Sequence, residues 1–174
     1  MRNAFVTILC LFVILSAKTI HVSPDWTGDG TSANNPMGSV KAAINASASN
    51  DTILLQDGVY YEYNIHFKSS SLILASQYII DKDLSHVRKC VINANNPSVD
   101  SASVFSFINH IYTTSKIIGI TITGGRGTKN LSNTVTGGAI YMPLDSSGFN
   151  LYLEACVLET NYINRETFNF GAAI

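Results

Sequence analysis

Charge is scarce in this chain. Eleven Lys and Arg residues face twelve Asp and Glu in 174 residues, so charged residues make up 13% and the net charge is −1. Nucleic-acid recognition needs a basic face, which that balance excludes. It equally gives no sign of attraction to anionic membranes. Cysteine is almost missing: beyond the first 17 residues only Cys90 and Cys156 remain. Each sits inside an apolar run, Cys90-Val91-Ile92 and Ala155-Cys156-Val157-Leu158. Buried free thiols are the expected state, with a Cys90–Cys156 disulfide as the alternative. The four histidines (His21, His66, His86 and His110) lack any metal-ligand spacing such as His-x3-His, so no metal is expected. No cofactor is expected either. No apolar run outside the amino terminus is long enough to span a membrane.

What is present begins with an export signal. Met1-Arg2-Asn3 is a short positive start, Ala4 to Leu15 is a twelve-residue apolar run, and Ser16-Ala17 supply small residues after it. That order reads as a secretory signal peptide over 1–17, cut after Ala17. The run is shorter than the ~20 residues of a spanning helix; a retained anchor is the alternative. Cys10 follows the bulky Leu9 and reads as part of the leader, not as a lipoprotein site. The remainder, 18–174, is long enough for one domain with its own core.

Two near-copies organise that domain. Gly137-Gly138-Ala139-Ile140 recurs 34 residues later as Gly171-Ala172-Ala173-Ile174. Gly119-Ile120-Thr121-Ile122-Thr123 is answered 36 residues on by Ala155-Cys156-Val157-Leu158-Glu159. Periods of this size, made of short β-branched runs between Gly, Asn, Ser and Thr turns, mark stacked-coil architectures. Because the second copy falls at Ile174, the array is expected to continue beyond it. Coils stopping there would leave an apolar cross-section and unpaired edges, so the isolated chain is expected to aggregate or dimerise.

Short strands are expected at Ile20 to Val22, Thr52 to Leu55, Tyr63 to Phe67, Ser71 to Ala75, Cys90 to Asn93 and Val104 to Ile108. Others follow at Ile117 to Thr123, Ala139 to Met142 and Leu151 to Leu158, all bounded by turns such as Asp57-Gly58 and Gly124-Gly125. Ser23 to Pro36 is a loop rich in turn formers. From Ser39 the spacing becomes helical, with Val40, Ala43, Ile44 and Ser47 on one face and Ser39 as N-cap. This helix of about ten residues is the only one predicted. One helix followed by many strands excludes a doubly wound sheet and leaves a sandwich or a parallel solenoid. The repeats, and a helix placed to cover the edge of a first coil, favour the solenoid.

The segment Val22-Ser23-Pro24-Asp25, Gly28-Asp29-Gly30-Thr31-Ser32, Ser39-Val40-Lys41-Ala42-Ala43-Ile44, Asn50-Asp51-Thr52-Ile53 and Asp57-Gly58-Val59-Tyr60 carries a resemblance. It resembles the amino-terminal cap of right-handed parallel β-helix proteins, the pectin-lyase-like superfamily. The Gly-Ile-Thr-Ile-Thr-Gly-Gly and Gly-Gly-Ala-Ile pieces resemble the coils of that group. They are also similar to the repeats of polymorphic outer-membrane proteins, although the companion Phe-x-x-Asn is missing; Leu158-Glu159-Thr160-Asn161 comes nearest. The fold class this implies is all-β: a right-handed parallel β-helix with an N-terminal amphipathic capping helix, truncated at the C-terminus. Trp26, the only tryptophan, then packs the cap against the first coil, with stacking on a sugar ring as its other role.

The superfamily includes lyases, glycoside hydrolases and esterases, so their signatures matter. Gly58-Val59-Tyr60-Tyr61-Glu62 is similar to an element near the start of pectin methylesterases. A structural role fits it as well: a turn, a packed tyrosine, and Glu62 on the rim. Hydrolysis needs two carboxylates facing one sugar. Asp81-Lys82-Asp83-Leu84-Ser85-His86 reads as a solvated loop instead, and Glu154 and Glu159 have opposite parity on one unbroken strand. Arg126 and Arg165 lie in turns without an acidic cluster, so the calcium-dependent lyase pattern is not met. No catalytic residue is assigned.

Asn45-Ala46-Ser47, Asn50-Asp51-Thr52 and Asn130-Leu131-Ser132 are glycosylation sequons, with Asn130 the best candidate because its loop is expected to be exposed. The function expected is a secreted or cell-surface protein, non-catalytic, presenting a rigid wall of Ser, Thr and Asn to polysaccharide or to cell-surface proteins. Membrane attachment would come only through sequence beyond Ile174. The alternative is a polysaccharide-active enzyme whose site lies in coils beyond this chain. A third reading, resting on the Gly-Gly-Ala-Ile repeats alone, is a passenger domain displayed by an outer-membrane transporter.

Overall fold

A computed structural model describes residues 16–67, 71–108, 112–132, 134–143, 148–163 and 169–170. The leader's apolar run, His110, Arg165 and the second copy, Gly171 to Ile174, lie outside them. Along the chain come β1 (Thr19–Val22), α1 (Val40–Ala46), β2 (Thr52–Leu55), β3 (Gly58–Tyr60), β4 (Ile65–His66) and β5 (Ile73–Ser76). Next are α2 (Tyr78–Asp81), α3 (Ser85–Lys89), β6 (Cys90–Asn93), β7 (Ser101–Ala102), β8 (Phe105–Ser106), β9 (Thr114–Ile118) and β10 (Thr121–Thr123). The last are β11 (Gly127–Lys129), β12 (Val135–Thr136), β13 (Ile140–Tyr141), β14 (Asn150–Glu154), β15 (Val157–Glu159) and β16 (Asn169–Phe170). The protein is therefore predominantly β, with three short helices among the described residues.

The chain visits three sheets in a fixed order. The first sheet runs β1-β2-β5-β9-β14, the second β3-β6-β10-β15 and the third β4-β8-β13. Every pair in these sheets is parallel. Each pass therefore climbs one strand per sheet, an arrangement compatible with a β-solenoid and unlike the antiparallel pairing of a sandwich. Side chains of equal register stack inward: Ile20, Ile53, Leu74, Ile117 and Leu153 in the first sheet, and Tyr60, Ile92, Ile122 and Leu158 in the second. Ile65, Phe105 and Ile140 do the same in the third. Beside them Phe67, Phe107 and Phe149 form a ring stack with centroids 4.6 and 5.0 Å apart.

The 36-residue repeat is a register: Thr121, Ile122 and Thr123 pair with Val157, Leu158 and Glu159. The other repeat has its counterpart just upstream, where Val135 and Thr136 pair with Asn169 and Phe170. Gly137 and Gly138 then lead Ala139 and Ile140 into the core.

Three sequence expectations need correction. Ile117 to Thr123 and Leu151 to Leu158 are each two strands, broken at Gly119-Ile120 and Ala155-Cys156. At the first corner Gly119 has φ +70, and a Cβ there would lie 2.6 Å from both Ser76 Oγ and Tyr78 Cβ. The equivalent Ala155 takes φ 50 with its Cβ in place. Secondly, the region read as a solvated loop holds α2 and α3, an insert between β5 and β6 that periodicity over so few residues does not reveal. Thirdly, pairing is not uniformly parallel: β11 is antiparallel to both β7 and β12 in a fourth sheet. Buried Ser103 Oγ anchors that hairpin, donating to Gly137 O at 2.6 Å and lying 2.7 Å from Thr128 Oγ1.

The helix expected after Ser39 is present and shorter in extent, α1 having 7 residues. Ser39 Oγ accepts from the Ala42 N–H at 3.2 Å, and Val40, Ala43 and Ile44 are the buried face. The outward row of β1 is closed by the loop before the helix. His21 N–H donates to Gly30 O, Met37 N–H to His21 O and Ser23 N–H to Met37 O, each at 2.9 Å.

Candidate functional site

Carboxylates are the first place to look for chemistry, and most of the described ones are occupied in holding the chain. Asp51 is 1% exposed; its two oxygens accept from Lys18 N–H at 2.9 Å and Ala48 N–H at 2.8 Å. Asp29 accepts from Thr31 N–H, Thr31 Oγ and Asn35 Nδ2, bonds that hold its carboxyl below the usual range. Asp81 accepts from Asp83 N–H, and Asp83 in turn from Ser85 N–H, each at 2.8 Å. Both carboxyls titrate low for that reason. The pair is a turn-capping device, not two acids facing a substrate.

Glu62 has a more specific task than the rim position expected from sequence. Its Oε1 accepts from Val40 N–H at 2.6 Å; Oε2 accepts from Lys41 N–H at 3.0 Å and from Ser39 Oγ at 3.1 Å. The first turn of α1 contains no acidic residue of its own, so a carboxylate from the following pass satisfies its free N–H groups and helix dipole. The rest of the Gly58–Glu62 element serves the same junction. Gly58 adopts φ +154, with Pro24 Cγ only 2.5 Å from where a Cβ would stand. Tyr60 OH shares its proton between Gln56 O at 2.8 Å and Val22 O at 3.0 Å, and burial raises its pKa. The groove beside it, about 420 Å³ and lined by Pro24, Lys41 and Tyr61 among others, thus has its best acceptor already occupied. Trp26 stands half-exposed in the cap loop, at 51%.

A second groove, about 370 Å³, lies on the outer face of the first sheet. It is lined by Thr114, Lys116 and Ile118 of β9 and by Tyr152, Leu153 and Glu154 of β14. Register puts Lys116 beside Tyr152 and Ile118 beside Glu154, and strand alternation puts those four on one face. Tyr152 is 57% exposed. Glu154 is also paired with the insert: Lys82 Nζ lies 3.1 Å from Glu154 Oε1 and 4.8 Å from the Tyr78 ring centroid. Exposed Tyr112 packs on Gly148 near the other end. Glu154 and Glu159 belong to different sheets because the chain breaks at Ala155, so the parity argument does not apply to them.

The remaining candidates are distributed. Arg126 stacks on Tyr162 at 4.4 Å and donates to its OH at 2.8 Å, with no acidic cluster beside it among the described residues. His21 Nδ1 is enclosed without a partner, His66 Nδ1 lies 3.4 Å from Ser106 Oγ, and His86 lies between Asp57 and Asp81. No group of metal-ligating side chains occurs among the described residues, and no described helix is long and apolar enough to cross a membrane. Cys90 and Cys156 are free thiols; burial raises the pKa of both. They flank Ile120 on adjacent rungs, about 9–10 Å apart at two strand spacings, beyond disulfide reach.

Of the sequons, Asn45 and Asn50 are exposed, whereas Asn130 is half-buried. Asn130 Oδ1 accepts from Ser132 N–H at 3.0 Å and Thr134 N–H at 2.9 Å. The loop around Asn130 is exposed at Leu131 and Ser132, as expected, while Asn130 itself is half-buried because its side chain closes its own turn. The chain matches no protein-family model, no curated protein and no solved structure.

Proposed function

We propose that the chain is a right-handed parallel β-helix exported by its leader, and that it acts at the cell surface or outside the cell as a non-catalytic carbohydrate-contact protein. The observation that carries the reading is the β9–β14 groove. It sets an exposed aromatic ring, Tyr152, beside a cation, Lys116, and hydroxyl and carboxylate groups, Thr114 and Glu154, on rigid paired strands. Sugars are gripped in this way, a ring face stacking on the aromatic while hydroxyls meet flanking polar groups. The outer wall is more mixed than a plain Ser, Thr and Asn surface, since Ile73 and Ile118 stand in the columns of Lys116 and Glu154. No specific observation favours the enzymatic alternative within the described residues, because Glu62 caps a helix and Asp81 and Asp83 cap turns.

The test is an NMR titration of the chain with soluble polysaccharide fragments. Shifts centred on Thr114, Lys116 and Tyr152 are expected. Tyr152→Ala should weaken binding about tenfold or more, in line with loss of one stacking anchor, while leaving the unfolding midpoint unchanged. Absence of any shift there, or binding only to an added cell-surface protein, would overturn the carbohydrate reading.

A further inference from the structure

The insert between β5 and β6 is tied to the strands at several points, among them Lys82 to Glu154 and Val87 O to Thr121, but only His86 joins it to two carboxylates at once. His86 Nδ1 lies 2.7 Å from Asp57 Oδ1, in the corner between β2 and β3, and Nε2 lies 3.1 Å from Asp81 Oδ2 of α2. Ionised carboxylates only accept hydrogen bonds, and neutral imidazole carries one donor and one lone pair. Both contacts are hydrogen bonds only when both ring nitrogens are protonated. In the neutral ring one contact becomes a lone pair facing a carboxylate oxygen.

We propose that this insert carries a pH-operated latch: doubly protonated His86 clamps α2 and α3 to the β2–β3 corner, and loss of one ring proton loosens that clamp while the Lys82 and Thr121 contacts remain. The other charged or titratable groups facing the histidine are few. Asp83 lies in the α2–α3 link, Arg88 and Lys89 follow on α3 itself, and Cys90 begins β6. Lys82 is turned away, toward Glu154 and the Tyr78 ring, and β10 contributes Thr121, whose Oγ1 donates to Val87 O at 2.7 Å. The net field at the ring is set by carboxylates.

The Asp57 bond is the largest influence on His86 and raises its pKa above the ordinary 6.5; burial opposes it, and the Asp81 bond, a smaller effect than burial, adds to the rise. A raised folded value means stabilisation that is complete below about pH 6.5 and is lost as pH rises through the folded value. On the acid side, Asp81 and Asp83 titrate below their ordinary 3.8. Their contribution is present above that value and lost as pH falls through the folded ones. The latch therefore holds across mildly acidic pH and opens toward alkaline pH. This holds whether or not the β9–β14 groove binds carbohydrate.

The test is a pH titration of the whole chain by NMR, reading the His86 ring nitrogens together with the amides of Tyr78 to Lys89. Expected are two protonated ring nitrogens at mildly acidic pH and a midpoint above 6.5. Amide protection in the insert, corrected for intrinsic exchange, should fall through that midpoint. By linkage the fall is up to about tenfold for each unit by which the midpoint exceeds the unfolded value. Asp57→Asn should lower the midpoint more than Asp81→Asn, and His86→Asn should remove the transition. If His86→Asn does not fold, the Asp57→Asn titration decides alone. A midpoint at or below 6.5, one insensitive to Asp57→Asn, or protection that does not follow it, would overturn the latch.

Discussion

The two ends of the strand stack face opposite problems with the same materials. At the first end, β1 turns one backbone row toward β2 and the other outward, and the outward row is hydrogen-bonded by Gly30 and Met37 of the cap loop. Helix α1 then covers the adjoining core with Val40, Ala43 and Ile44. At the other end β14 turns Asn150 and Glu154 toward β9, while Leu151 and Leu153 face away with no backbone partner among the described residues. The same inward column holds Ile53, fully buried, and Leu153, 36% exposed. A residue's value here depends less on its type than on whether a strand lies on both sides of it.

That contrast is open to direct attack. The largest effect is expected from Ile53→Ala, which leaves a cavity walled by strands on both sides and should cost about 3–4 kcal/mol in urea unfolding. Leu153→Ala, in the same column, should cost about 1 kcal/mol, since a partly exposed side chain loses less burial and leaves no closed cavity. Equal costs would mean that the last strand is as enclosed as the second. Next is Glu62→Gln, which keeps one acceptor oxygen and loses the charge at the α1 amino terminus. A loss of about 1 kcal/mol is expected, detectable as a lower unfolding midpoint. A neutral result would detach Glu62 from the cap. The smallest effect is a gain: Ala155→Gly relieves a left-handed residue at a corner where the preceding pass has Gly119, and should add about 0.5–1 kcal/mol. Gly119→Ala should do the reverse, and more strongly, because Ser76 and Tyr78 occupy the space.

Much of the strand framework was legible from residue order. Thr52 to Leu55 is a strand with the bounds expected, because turn residues stand on both sides of a β-branched run; Cys90 to Asn93 also has the bounds expected, although α3 and not a turn precedes it. The 36-residue echo was a true register for the same reason: equivalent levels of adjacent strands need the same inward side chains. The corners were not legible. A break of two residues inside a continuous apolar run changes direction without changing composition, and Ala155 carries no glycine to mark it. The α2–α3 insert was hidden by its length, and the Glu62 cap and the His86 bridges by sequence separation: Glu62 lies 22 residues beyond Val40, and His86 lies 29 beyond Asp57. The one available clue to the first was an amphipathic helix with no acid in its opening turn. The candidate groove was the least visible of all, since Lys116 and Tyr152 meet only through register.

The difference between the two ends is tested most directly by amide exchange resolved residue by residue. His21 and Ser23, on the outward row of β1, should be protected, whereas Leu151 and Leu153 of β14 should exchange at close to the unprotected rate. Asn150, whose N–H donates to Thr113 O at 2.9 Å, should be protected beside them, giving an alternating pattern along β14. Leu153 as protected as His21, or no alternation along β14, would contradict the account of a β1 covered on its outward row and a β14 unpaired on its outer side among the described residues.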